Sequence, residues 1–198
     1  KGGTDRPIWA IDRGVNICRA LSLPPAHLIG DRDSAAHDAW AWAEEHGARV
    51  HAFPPAKDFT DTELALRIAA ELMPHALVIL TGAFGGRFDH LMSAASVAAH
   101  AALPCILADE CEALFFLHDD ESLTITCDSP PQAISLLPFT EECTGITTNG
   151  LRWELSHAQI HTHSSTTISN VLAEGNTEHR FSVALGSGIL GVYLCHKE

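Results

Sequence analysis

Short apolar runs recur along the first half of the chain, each followed by a polar loop and then a longer segment with helical spacing. Ile8-Trp9-Ala10-Ile11, His27-Leu28-Ile29 and Arg49–Phe53 read as strands, the third broken by Pro54-Pro55. The alanine-rich stretch Ala35–His46 reads as a helix, with Ser34 placed to cap it and Gly47 to stop it. Thr60 opens another, because Glu63 stands at capping-box spacing and Leu64, Ile68 and Leu72 recur every fourth residue on one face. Ala76–Leu80 is an unbroken apolar run, short enough for a buried parallel strand. Asp89 precedes a helical stretch to about Ala102, and Pro104 opens the strand Cys105–Ala108. Strands alternating with helices predict an α/β domain, a Rossmann-like, mostly parallel sheet with helices on both faces.

The texture changes near Glu112–Asp120. Beyond it, short strands separated by turns predominate: Leu123–Cys127, Ala133–Leu137, Gly145–Thr148, Arg152–Leu155, Gln159–Thr162, Arg180–Leu185 and Ile189–Cys195. Asn149-Gly150 and Gly175-Asn176 are turn signals between them. The pattern predicts a C-terminal antiparallel β-sandwich or barrel. With His118-Asp119-Asp120-Glu121 as the linker, the expected domains are 1–118 and 119–198.

Composition narrows the function. A net charge of -13 with only 12 Lys and Arg argues against nucleic-acid or anionic-membrane binding, since both need clustered positive charge. No apolar run is long enough for a membrane helix, and no leader-like segment is visible. The six cysteines form no C-x-x-C pair and sit mostly in apolar runs, which predicts free thiols and a cytoplasmic setting.

Candidate chemistry lies in three loops after apolar runs, which in an open α/β sheet face the ligand-binding crevice. In Gly30-Asp31-Arg32-Asp33-Ser34 the two aspartates point the same way if the segment is extended, suiting a hard cation such as Mg²⁺ that also binds phosphate. The plainer alternative is helix capping by Asp33 or Ser34. Lys57-Asp58-Phe59-Thr60-Asp61 adds carboxylates at a second strand end, where capping and dipole complementarity also account for them. Gly82–His90 is glycine-rich but lacks the G-K-[ST] ending of a P-loop; Arg87 offers a fork of donors to phosphate, or pairs with a surface acid in a plain turn. His161 and His163 would face one way on a strand, yet no third ligand stands at zinc spacing. Trp153 is a core residue or an aromatic wall for a ligand ring.

Taken in order, G-D-x-D-S, P-x-K-D-x-T-D-x-x-x-A and G-A-x-G-G-R-x-D-H make the chain similar to the bacterial-type thiamine pyrophosphokinases (thiamine diphosphokinases). Asp12-Arg13-Gly14-Val15-Asn16 resembles that family's D-G-G-A-N segment, with Arg13 in place of a glycine. Gly150-Leu151-Arg152-Trp153-Glu154-Leu155 and Ser169-Asn170 resemble its G-L-x-[WY]-x-L and S-N signatures.

The resemblance implies an α/β catalytic domain, a C-terminal β-sandwich, and a homodimer with thiamine near the subunit interface. It also implies Mg²⁺-dependent transfer of pyrophosphate from ATP to thiamine, giving AMP and thiamine diphosphate. On the same ground Asp31, Asp33 and Asp61 are metal and phosphate-side carboxylates, and Lys57, Asp58 and Thr60 lie on the nucleotide and transfer loop. Asp12, Gly14, Ser34, Gly82, Arg87 and Asp89 fall on the ATP side, and Trp153, Ser169 and Asn170 on the thiamine side. Two alternatives stay open: Mg-dependent nucleotide chemistry with another acceptor or water, and a non-catalytic thiamine- or nucleotide-binding homologue.

Overall fold

The computed structural model describes residues 6–30, 35–53 and 58–196, so Asp31, Arg32, Asp33, Ser34 and Lys57 lie outside the described residues. The chain forms two compact units, Lys1–Pro74 and His75–Glu198.

In the first unit, β1 (Trp9–Ile11), β2 (His27–Gly30) and β3 (Arg49–Ala52) pair in parallel in the order β1-β2-β3. Alternation sends Ala10 and Leu28 to one face, where they pack with Val15 and Cys18 of α1 (Gly14–Ala20) and Ala39, Trp40 and Ala43 of α2 (His37–Glu45). Ile29 points the other way and is equally buried, and α3 (Asp61–Leu72) packs against β1 and β2. Helix α2 begins later than its sequence pattern predicts. Its N-cap is Ala36, which has no capping side chain. The buried stripe of α3 is Ala65, Leu66 and Ala69, while Leu72 is exposed. Small residues let the helix approach the sheet, and that shifts burial round from the Leu64–Ile68–Leu72 stripe.

In the second unit, β4 (Val78–Leu80) pairs in parallel with β5 (Cys105–Ala108), and α4 (Phe88–Ala99) packs on β5. The pair continues antiparallel into β6 (Glu112–Leu117), giving a five-stranded sheet β4-β5-β6-β12-β8, with β8 at Ala133–Pro138 and β12 at Leu190–Cys195. Strand β4 is therefore a sheet edge rather than a buried strand, and Ile79 is 54% exposed. The expected linker is a tight turn, His118–Glu121, in which His118 N–H donates to Glu121 Oε2 and Glu121 N–H donates to the His118 carbonyl.

A four-stranded antiparallel sheet, β10-β9-β11-β7, completes the sandwich, with β7 at Ser122–Thr126, β9 at Glu142–Asn149, β10 at Ala158–His161 and β11 at Arg180–Ala184. Ile134, Leu136, Leu190, Val192 and Leu194 from one sheet meet Ile146, Ile160, Phe181 and Val183 from the other. The predicted strand over Arg152–Leu155 does not form; Leu151 makes one bridge, to Leu172, and a turn follows. Gly150 has φ +83°, and a Cβ there would meet the Arg180 carbonyl at 2.5 Å, so the Asn149-Gly150 turn needs its glycine.

All six cysteines are free thiols, and burial pushes Cys105 up to about 11. No helix among the described residues is long and apolar enough to cross a membrane.

In the first unit Trp9 stacks on His27 (4.0 Å between ring centroids), and His27 Nδ1 and His51 Nε2 are hydrogen-bonded at 2.9 Å. Burial, the largest cause in each case, lowers the affinity of both rings for a proton; His51 and Arg49 add to it at His27, and Arg49 at His51. The unfolded chain therefore takes up protons near the ordinary value of 6.5, where the folded unit resists them. The stabilisation is complete above that value and declines as pH falls below it. Thermal melts between pH 7.5 and 5.5 should show this decline, and His51→Gln should flatten it; an equal slope in the variant would remove the pair as its source.

Candidate active site

The described parts of the sequence motifs fall in both units. At the carboxyl end of β1, Asp12 takes φ +47° and its N–H donates to the Ile29 carbonyl at 2.9 Å. At the end of β2, Gly30 has φ +144°, and a Cβ there would run into the Asp12 carboxylate. Asn16, one turn into α1, accepts the Ala36 N–H on its Oδ1 at 3.1 Å. The Asp12–Asn16 segment thus lies against Gly30 at the end of β2 and bonds to Ala36 at the N-cap of α2. Gly14 is the first residue of α1.

Thr60 is the N-cap of α3, and its Oγ1 accepts the Glu63 N–H at 3.2 Å. Only half of a capping box forms, because the Glu63 carboxylate pairs with Arg67 at 2.7 Å instead of turning back to the Thr60 N–H. The Arg67 guanidinium also lies 4.0 Å from the centre of the Phe59 ring, which holds the residue following Asp58. Asp61 occupies the first turn, where the helix dipole favours a carboxylate.

In the second unit Gly82, Gly85 and Gly86 all have positive φ, which bends the loop between β4 and α4 into a backbone-rich turn. Phe84 of this loop leans on Tyr193 of β12, whose hydroxyl donates to Glu112. Arg87 is the N-cap of α4 and meets Asp89 through two donors, Nε to Oδ1 at 3.1 Å and Nη2 to Oδ2 at 2.5 Å. The Arg87 partner, then the His90 N–H, holds the Asp89 carboxyl below the usual carboxylate range. The pairing leaves the Nη1 edge of the guanidinium for an anion, so the surface-pair and phosphate readings of Arg87 are compatible.

Farther along the same unit, Trp153 is 58% exposed, with the Arg152 guanidinium 5.2 Å from its ring centre. Asn170 hydrogen bonds to both backbone polar groups of Trp153. Ser169 has φ +61° and donates its N–H to the buried Ser135 hydroxyl at 2.9 Å. The structure therefore brings together the three residues that the sequence places on the thiamine side.

Among the described residues no group of three or more His, Cys, Asp and Glu side chains comes together to hold a metal ion. His161 and His163 stack at 5.1 Å, and His161 faces Glu142 at 3.8 Å. Of the three carboxylates assigned to a metal, Asp61 is described, and its oxygen donors are of the hard type that Mg²⁺ takes.

The family model described as thiamin pyrophosphokinase, catalytic domain, matches residues 5–106, and that for the thiamin pyrophosphokinase vitamin B1 binding domain matches residues 119–189. The chain belongs to the thiamin pyrophosphokinase family. It is 28% identical over 190 residues to the thiamine pyrophosphokinase of Bacillus subtilis strain 168, covering 93% of this chain and 87% of that protein. The crystal structure of thiamine pyrophosphokinase from Bacillus subtilis superposes with a TM-score of 0.82 at 24% identity, covering 99% of this chain and 91% of that one. That of thiamin pyrophosphokinase from Geobacillus thermodenitrificans gives 0.79 at 25% identity, covering 100% and 89%.

The catalytic-domain match runs from residue 5 of the first unit through β4 and α4 and ends within β5. It contains every ATP-side residue, while Trp153, Ser169 and Asn170 fall in the vitamin B1 binding match. Within this family arrangement the sequence reading missed Asn16 as the partner of the Ala36 N–H, although its motif was visible. It also missed Ser135, whose signal was a lone hydroxyl inside the apolar run Ala133–Leu137.

The Gly30–Asp12 contact has a direct consequence. Gly30→Ala combines a side-chain clash with a backbone conformation that L residues avoid, and should cost about 1–3 kcal/mol. Asp12→Gly in the same chain should recover part of that loss in a denaturant melt. A single Gly30→Ala effect within about 0.5 kcal/mol would contradict the close approach.

Proposed function

We propose that the protein is a thiamine diphosphokinase, transferring the pyrophosphoryl group of ATP to the hydroxyl of thiamine and releasing AMP. The observation that carries this reading is the presence, in one chain, of the catalytic and the vitamin B1 binding matches, with the Trp153–Ser169–Asn170 cluster inside the second.

The thiamine hydroxyl oxygen attacks Pβ, the bond from Pβ to the oxygen bridging to Pα breaks, and that oxygen leaves with AMP. Catalysis of such a transfer is chiefly alignment of the nucleophile and neutralisation of phosphate charge. Asp31, Asp33 and Asp61 would hold a divalent cation, and such a cation, Mg²⁺ by the all-carboxylate donor chemistry, would supply charge neutralisation for the triphosphate. Arg87, oriented by Asp89, offers its free edge to phosphate oxygens. Lys57 and the glycine-rich loop from Gly82 add donors, and Asp12, Gly14, Ser34 and Thr60 shape the nucleotide side. A carboxylate of the Asp58–Asp61 segment accepts the hydroxyl proton. Trp153 supplies an aromatic surface for the thiamine cation, a favourable pairing in a chain of net charge -13. A homodimer with thiamine near the subunit interface, in a cytoplasmic setting, completes the proposal.

Incubation with Mg-ATP and thiamine, followed by mass analysis, should give AMP and thiamine diphosphate in equal amounts. ADP as the nucleotide product, or turnover that persists without thiamine, would overturn it. Asp31→Ala and Asp61→Ala should each lower kcat by about a hundredfold or more while melting as the parent does.

A further inference from the structure

We infer that Asn170 is a positioning residue that acts on thiamine through Trp153 rather than by touching the ligand, an inference resting on the thiamine-side reading above. A side-chain amide has two acceptor lone pairs and two donor hydrogens. Asn170 Oδ1 accepts the N–H of Trp153 at 3.3 Å and of Val171 at 2.9 Å, and its Nδ2 donates to the Trp153 carbonyl at 2.8 Å. Three of its four valences are thus spent on backbone. One side chain satisfies both polar groups of the Trp153 peptide backbone, at the point where the backbone pairing of Leu151 and Arg152 with Leu172 and Val171 gives out.

Trp153 needs such a device. It lies where a strand pattern fails to pair, and with 58% exposure burial does not hold it. Beside the clamp, Arg152 N–H donates to the Val171 carbonyl at 2.9 Å, so the residue that follows Asn170 is also tied to the tryptophan loop.

The clamp is itself anchored. Asn170 exchanges backbone hydrogen bonds with Ile134 at 2.7 and 2.8 Å, and Ile134 is fully buried in β8. Thr167 Oγ1 donates to the Leu136 carbonyl at 2.7 Å, and the Ser135 hydroxyl holds Ser169 in its left-handed conformation. A rigid strand therefore sets Asn170, and Asn170 sets the orientation of an exposed aromatic ring. A residue that fixes a ligand wall in this way lowers the ordering cost of binding.

The test combines steady-state kinetics with fluorine NMR of chain labelled with 5-fluorotryptophan. Asn170→Ala should raise KM for thiamine about tenfold and leave KM for ATP within about twofold. In a Trp153→Ala background the same change should have no further effect on the thiamine KM, because the two residues act as one unit. Without any ligand, Asn170→Ala should move the Trp153 resonance, assigned by its loss in Trp153→Phe. Asn170→Asp, which keeps both accepted bonds and loses the donated one, should move it too and raise the thiamine KM about threefold; it serves if the alanine variant does not fold. Additive losses in the double variant, or an unmoved Trp153 resonance, would overturn the inference. A parent protein that fails to turn over thiamine would defeat only the functional reading, since the resonance measurement needs no substrate.

Discussion

The second unit depends on its last strand. Strand β12 lies between β6 and β8, paired antiparallel with both along its whole length, and it sends Leu190, Val192 and Leu194 into the sandwich core. A strand hydrogen-bonded on both sides with one face fully buried has its register set strongly, because a slip of one residue would turn those side chains out of the core. Among the described residues, β12 is the strand that joins β6 to β8 in this sheet. On one side of it Tyr193 receives Phe84 of the glycine-rich loop; on the other, β8 carries the bridge to Asn170. Both candidate segments of this unit lean on the same scaffold.

A second regularity concerns how chemistry-bearing loops are held. Each has one polar side chain bonded to backbone: Asn16 to Ala36, Thr60 to Glu63, Asp89 to His90, Asn170 to Trp153. Loops have few apolar contacts to fix them, so orientation must come from directional hydrogen bonds. Each such bond is worth only about 0.5–1.5 kcal/mol net. Its value lies in narrowing the conformations from which substrate must select.

Much of this was legible in the chain. Strands β1, β2, β3 and β5 and the capped start of α3 follow from local patterns, since a short apolar run or a Thr-x-x-Glu acts over few residues. The candidate site residues stand out as motifs because close backbone approach demands glycine and phosphate chemistry demands carboxylates and arginine. What failed to show was pairing. Nothing local in Val78–Leu80 distinguishes an end strand from a central one, and nothing in Arg152–Leu155 reveals that the Asn170 side chain would hold Trp153. The start of α2 at His37 depends equally on Asn16, twenty residues away.

The sequence alone determined the alternation of elements, the antiparallel character of the later part, and the residue types able to bind cation, phosphate and an aromatic cation. Those properties are additive along the chain, set by side-chain chemistry and by periods of two and 3.6 residues. Tertiary structure decided which strands became neighbours, that β4 and β5 joined the sandwich sheet, and that Asn170 spends its amide on Trp153. Those outcomes depend on contacts between distant residues. A hydrogen-bonding group is committed only when folding brings a partner within about three ångströms of it.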